Sequence, residues 1–235
     1  MWSRLALVAF VVAAGLSTRL ASAASLGGLT ARSLLSVNHS GAPTPPTVLG
    51  CDNFTGTTGN SMAGRTVAVA SSCSSLVWTA HVGTWTIQSN RGASSATASA
   101  VTTLNTSFVN GSVQVVLTSL NTGGRSGGLV VAHDGASTYL AAVMTDGSPD
   151  RVELRLVTSG TPVVLATVNP TFATTNTLGV SRSGSSSITV TLNSATVMTY
   201  TLSGAQQTTL GTNGRAGLFG GSSSVRFDDF VVTNP

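Results

Sequence analysis

The sequence predicts an all-β protein, an antiparallel two-sheet β-sandwich. Three observations carry that prediction. Gly, Ser, Thr, Ala and Val dominate the composition, which disfavours helix and suits strands joined by tight turns. From Cys51 onward apolar residues alternate with a period of two, and no stretch shows good 3.6-residue periodicity. Strand-like runs recur about every 8–12 residues between Gly, Ser and Asn turns, the spacing of a sandwich or barrel. No helix is expected.

The chain begins with a leader-like segment. Arg4 precedes an apolar run of about a dozen residues, too short to span a bilayer, and Ala21-Ser22-Ala23 is a small-x-small cleavage signal. Residues 1–23 are therefore expected to be a signal peptide. The mature protein is expected to be secreted, with retention at the cell surface left open, and to carry no membrane span. Residues 24–50 form a spacer with a stiff joint at Gly41-Ala42-Pro43-Thr44-Pro45-Pro46. Residues 51–235 are the expected sandwich. Two cysteines, Cys51 and Cys73, fall in the exported part and are expected to pair. Closing that loop would stabilise the fold by about 3 kcal/mol. All 11 basic residues are arginine, against seven acids. Without Arg4 and Arg19 the balance is nine to seven, too small and too scattered for nucleic-acid binding.

Each strand has its own signal. Trp85-Thr86-Ile87 and Val113–Leu117 alternate cleanly. Gly128–Ala132 and Tyr139–Met144 flank Asp134-Gly135-Ala136-Ser137, a hairpin turn. Asp146-Gly147-Ser148-Pro149 turns the chain into Arg151–Val157, and Ser159-Gly160 joins that strand to Pro162–Val168. Leu178–Ser181, Ile188–Leu192 and Val197–Leu202 follow, with Ser183-Gly184 and Asn193-Ser194 between them.

Several of these segments resemble a known family. Gly214-Arg215-Ala216-Gly217-Leu218-Phe219, followed by Val225-Arg226-Phe227-Asp228-Asp229-Phe230-Val231-Val232, resembles the closing strands of concanavalin A-like (LamG-like) jelly-roll domains. Asp52-Asn53-Phe54 resembles their opening strand and Gly83-Thr84-Trp85 their Gly-x-Trp motif. Gly127–Val131, with Asp134 and Tyr139-Leu140, resembles their hairpin. The resemblance implies a jelly-roll sandwich that serves elsewhere both as a sugar-binding module and as a scaffold for glycan-cleaving enzymes. It specifies packing and leaves the ligand open.

The chemistry-bearing residues are few. The resembling retaining glucanases carry Glu-x-Asp-x-x-Glu on one strand, because they need two carboxylates close together. This chain has only Glu153 at that place. Arg151-Val152-Glu153-Leu154-Arg155 puts Arg151, Glu153 and Arg155 on one face. It also resembles a strand of one jelly-roll alginate lyase family, but that family's Gln-x-His and Tyr-x-Lys-x-Gly strands are missing. The run is either a solvated salt-bridge face or a surface that meets an acidic glycan. Gly124-Arg125-Ser126-Gly127-Gly128 matches Gly-x-Ser-x-Gly but feeds a strand, not a helix, so it is expected to be a loop. His133 is expected on an exposed turn and His81 at a packed or edge position. Trp78 and Tyr139 are the candidate sugar-stacking platforms. Asp52 and Asp228 are candidate oxygen ligands for a structural calcium ion, should the terminal strands pair. The resulting expectation is a non-catalytic module that binds carbohydrate or a cell-surface polymer, with no other cofactor. A structural or adhesive envelope protein, or a lyase or hydrolase with an unrecognised site, is the alternative.

Overall fold

The computed structural model describes residues 45–67, 75–95, 99–120 and 123–235. The expected leader and most of the spacer lie outside the described residues. So does Cys73, and with it the expected Cys51–Cys73 disulfide.

Two antiparallel sheets stack face to face. Strands are numbered along the chain. Sheet I runs in space β13 (Ala195–Thr201), β12 (Ser187–Leu192), β11 (Thr175–Ser183), β6 (Gly111–Thr118), β15 (Arg226–Thr233), β4 (Gly92–Ser94) and β3 (Trp85–Ile87), with β1 (Val48–Asp52) also pairing β15. Sheet II runs β10 (Thr161–Val168), β9 (Arg151–Thr158), β8 (Tyr139–Thr145), β7 (Ser126–His133), β14 (Arg215–Gly220), β5 (Ala100–Asn105) and β2 (Thr79–Val82). The terminal strands pair, with Asp52 opposite Phe230. The sandwich takes in Val48–Gly50, ahead of the expected boundary at Cys51.

Alternation decides what lies between the sheets. Val113, Val115 and Leu117 of β6, Phe227, Phe230 and Val232 of β15, and Leu140, Ala142 and Met144 of β8 all bury into one core. A bulge at Asp229, whose φ is 47°, resets the phase of β15, so that Phe227 and Phe230 both face inward. Gly127 is required here: an added Cβ would stand 2.8 Å from Val225 Cγ1 of the opposite layer.

The expected absence of helix is corrected. Gly204–Leu210 forms a short helix, α1, between β13 and β14. Ser203 caps it: its hydroxyl accepts from the Gln206 amide, while Gln206 Oε1 accepts from the Ser203 N–H. Only Leu210 of this helix is buried, so no apolar period betrays it. The Ser-x-x-Gln box was its one sequence signal.

Candidate functional site

The sequence-predicted residues divide into two groups. Trp78 belongs to the first. It is 1% exposed, packed between Phe54 and Phe230 with ring centroids at 5.8 and 5.2 Å. Its indole N–H donates to Asp52 Oδ2 at 2.7 Å. Trp78 presents no ring face to solvent, so it is a core residue and not a stacking platform.

The same network engages Asp52, one of the two expected calcium ligands. Asp52 Oδ1 accepts from the Phe54 N–H at 2.8 Å and from Arg65 Nη2 at 3.2 Å, and Oδ2 is taken by Trp78. Both oxygens are satisfied inside the protein. Asp228 turns elsewhere, accepting from the Asp229 N–H and meeting Arg91 at 3.5 Å. Burial first, and then the Asp229 charge, raise its carboxyl above the ordinary range despite those donors. These residues do not fit a shared calcium ion. No group of three or more His, Cys, Asp or Glu side chains arranged to hold a metal occurs among the described residues.

The second group gathers on the face of sheet II turned away from the main core, where Tyr139, Glu153 and their neighbours are largely buried and Arg151 and Arg155 remain partly exposed. The period of two that sends Leu140, Ala142 and Met144 to the core sends Tyr139, Ala141 and Val143 outward. Across the ladder, Ala141 stands opposite Arg155, and Val143 opposite Glu153. Val101, Val130, Val157 and Phe219 complete a second apolar cluster on this face, separate from the main core.

Glu153 is clamped at one side of the cluster. Arg155 donates to its Oε2 through Nε at 2.8 Å and through Nη2 at 2.5 Å. Arg151 Nη1 stands 4.0 Å from Oε1. The Arg155 guanidinium carbon lies 6.0 Å from the Phe219 ring centroid, within cation–π range. The predicted Arg-Glu-Arg face is therefore present, and its planar charged groups lie beside an aromatic ring.

Three rings stack at the other side. His133 lies between His81, at 4.1 Å, and Tyr139, at 5.2 Å, with interplanar angles of 30° and 14°. His81 is on β2 and His133 on β7, with β5 and β14 between them. Four strands of a flat sheet span about 14 Å. Contact at 4.1 Å therefore requires these side chains to converge over a concave face. A backbone irregularity at Ala132, with φ 53°, turns His133 toward that face. The expectation of an exposed turn histidine is thereby corrected: His133 is 1% exposed.

The stack is neutral at neutral pH. His133 Nδ1 accepts from the Gly135 N–H at 2.8 Å, which leaves the proton on Nε2, a buried donor with no partner. Burial, then the neighbouring His81, lower its pKa to about 4, with Arg215 adding to the effect and Asp134 opposing it. His81 is also lowered, by burial and then by Arg215, and its Nε2 meets Thr103 Oγ1 at 2.8 Å. Burial raises the Tyr139 phenol, with Arg155 opposing. Tyr139 is only 6% exposed, so it presents no open platform.

Sequence reasoning found Tyr139, Arg151, Glu153 and Arg155 but missed His81, His133 and Phe219. Phe219 sits in the Gly-Leu-Phe run, where alternation separates it from the inward Leu218. That signal was available. The His81–His133 contact joins residues 52 positions apart through a non-adjacent strand, and no local pattern encodes it.

Comparisons with known proteins bear on the fold. No family model matches the chain, and no curated protein matches it. Solved structures do. The carbohydrate-binding module CBM66 from Bacillus subtilis is similar at 18% identity and TM-score 0.52, covering 67% of this chain and 91% of that one. SCLam, a non-specific endo-β-1,3(4)-glucanase from family GH16, is similar at 11% identity and TM-score 0.53, covering 82% and 92%. Crh5 transglycosylase, solved in complex with NAG, is similar at 14% identity and TM-score 0.51, covering 81% and 87%. At these identities the likeness concerns architecture. The two antiparallel sheets and the likeness to those structures give the chain a concanavalin A-like jelly-roll fold.

Proposed function

We propose that this chain is a non-catalytic carbohydrate-recognition module of the cell exterior, and that it binds on the outer face of sheet II. The observation that carries this reading is the company of side chains there. The partly exposed Arg151 and Arg155 guanidinium groups meet one carboxylate, Glu153, at the border of a buried apolar cluster that holds the Tyr139 and Phe219 rings. Hydroxyl-rich ligands need such a mixture: planar donors and acceptors for hydroxyls, and ring surface for C–H faces. Similarity of fold to a carbohydrate-binding module supports the reading by analogy.

The carboxylate count supports a non-catalytic role. Glu153 is the one acid on the strands of sheet II, and it is engaged by Arg155. Double-displacement glycoside hydrolysis needs two carboxylates about 5 Å apart, and these strands supply no second.

A second reading is adhesion through protein contacts. It is favoured by Val163 and Val164 on edge strand β10, which are 57% and 50% exposed. A glycan and polysaccharide panel, read with wild type and Arg155→Ala, separates the two. Saturable binding that Arg155→Ala weakens supports carbohydrate recognition. Silence across the panel from a folded sample, with a protein partner captured through β10, supports adhesion instead.

A further inference from the structure

A second site is marked by a buried arginine that no acid of the chain neutralises. Arg182 lies at the last inward position of β11, in phase with Leu178 and Val180, where the sandwich opens at its rim. It is 3% exposed. Its Nη2 reaches the Gly211 carbonyl at 3.5 Å, a long contact, while Nε and Nη1 are buried without an acceptor.

The acids can be accounted for one by one. The chain has seven acidic side chains, Asp52, Asp134, Asp146, Asp150, Glu153, Asp228 and Asp229, and Pro235, whose terminal carboxylate forms no ion pair with Arg182, lines the same pocket. All lie among the described residues, and none forms an ion pair with Arg182. The segments outside the described residues contain no Asp or Glu. An unpaired guanidinium taken out of water carries a penalty of several kcal/mol unless something else compensates it. Burial accordingly pushes this group below the usual arginine range.

An open pocket of about 460 Å³ adjoins it. Its lining includes Asn110, Gly111, Ser181, Arg182, Gly184 and Asn234. Gly111 pairs directly with Arg182 across the β6–β11 ladder. Next to it, Asn110 Oδ1 is a second buried polar atom without a partner. An amide can present either its oxygen or its NH2, so Asn110 can serve an anion as well. An uncompensated cation, an unpaired amide and an adjoining cavity thus occur together, away from the face of sheet II described above.

We propose that this rim pocket is an anion site, in which a carboxylate-bearing ligand accepts hydrogen bonds from the Arg182 guanidinium. Carboxylate is the chemistry that a guanidinium fork matches best. The pocket is large enough to hold a sugar ring attached to it, so an acidic sugar and a simple carboxylate are both admissible sources.

The test uses the full chain at constant ionic strength. Sodium acetate, sodium glucuronate and uncharged methyl glucoside are titrated while thermal unfolding and the arginine Nε–H NMR resonances are followed. A saturable rise in Tm with the carboxylates but not with the glucoside is expected, together with movement of the Arg182 Nε–H resonance. Glucuronate binding at least tenfold tighter than acetate would assign the ring as part of the ligand; equal binding would assign the carboxylate alone. Arg182→Met should abolish the rise. Without anion, its own Tm should equal or exceed that of wild type, because an uncompensated buried charge is gone. Arg155→Ala should leave the response intact, so the two sites fail independently. A flat titration, or an undiminished response in Arg182→Met, would overturn the proposal. Should Arg182→Met not fold, an unmoved Arg182 resonance in wild type would overturn it equally.

Discussion

The two sheets carry very different side chains on the faces turned away from the main core, and on sheet II most of those side chains are buried. The outer face of sheet I along β11, β12 and β13 is a ladder of small hydroxyls: Thr177, Ser181, Thr189, Thr191 and Thr199, with Thr189 directly opposite Thr199. Cross-strand threonine pairs stabilise a sheet modestly and need no ligand to explain them. The outer face of sheet II carries Arg151, Glu153, Arg155, Tyr139, His133, His81 and Phe219 instead. Those side chains are costly to order and partly unsatisfied, as the His133 Nε2 donor shows. Both faces belong to the same fold and obey the same alternation. The difference lies in the choice of residues alone, and it is what singles out sheet II in the proposed function.

The largest expected effect lies beneath both faces. Trp78→Ala should cost about 3–5 kcal/mol in denaturant unfolding, because it empties the contact with Phe54 and Phe230 and leaves Asp52 Oδ2 without its donor. A loss below 1 kcal/mol would mean that Trp78 is not a core residue.

Acid should act next, chiefly through the buried histidines of sheet II. The His133 pKa is depressed in the folded state to about 4 from 6.5. Its contribution to stability is therefore complete above pH 6.5. It falls as pH drops toward 4, because the unfolded chain takes up the proton first, and it changes no further below that. The loss should be roughly 3 kcal/mol across that window. His133→Gln should flatten the stability–pH profile between pH 6.5 and 4. An unchanged profile would show that the stack does not hold His133 neutral.

Binding comes third. Arg155→Ala should weaken glycan binding at least tenfold, since it removes both donors to Glu153 and the partner of the Phe219 ring. Thr189→Ala and Thr199→Ala on sheet I should leave affinity unchanged. Equal losses on both faces would erase the distinction between them. The smallest effect is at the helix: Ser203→Ala should lower stability by about 1 kcal/mol through loss of the cap, without touching binding.

How much of this was legible in the sequence follows from the range of each interaction. Strands such as β9 and the β7–β8 hairpin are encoded locally, by alternation and by the Asp134–Ser137 turn, and they were readable. So was the Arg151, Glu153, Arg155 face, because residues two apart share a side. Trp78 was misread because burial of an irregular segment depends on what folds over it, here Phe54, Phe230 and the Asp52 carboxylate. Asp52 looked like a cation ligand because its neighbours in space, Arg65 and Trp78, are 13 and 26 residues away. The ring stack was invisible for the same reason, as it depends on sheet curvature and a backbone irregularity at Ala132.

The most direct measurement is a backbone NMR map of the protein titrated with a saccharide that it retains on the panel. The shift changes should cluster on Ala141, Glu153, Arg155, His133 and Phe219 and spare Thr177, Thr189 and Thr199. Changes confined to sheet I, or to edge strand β10 alone, would contradict recognition by the outer face of sheet II.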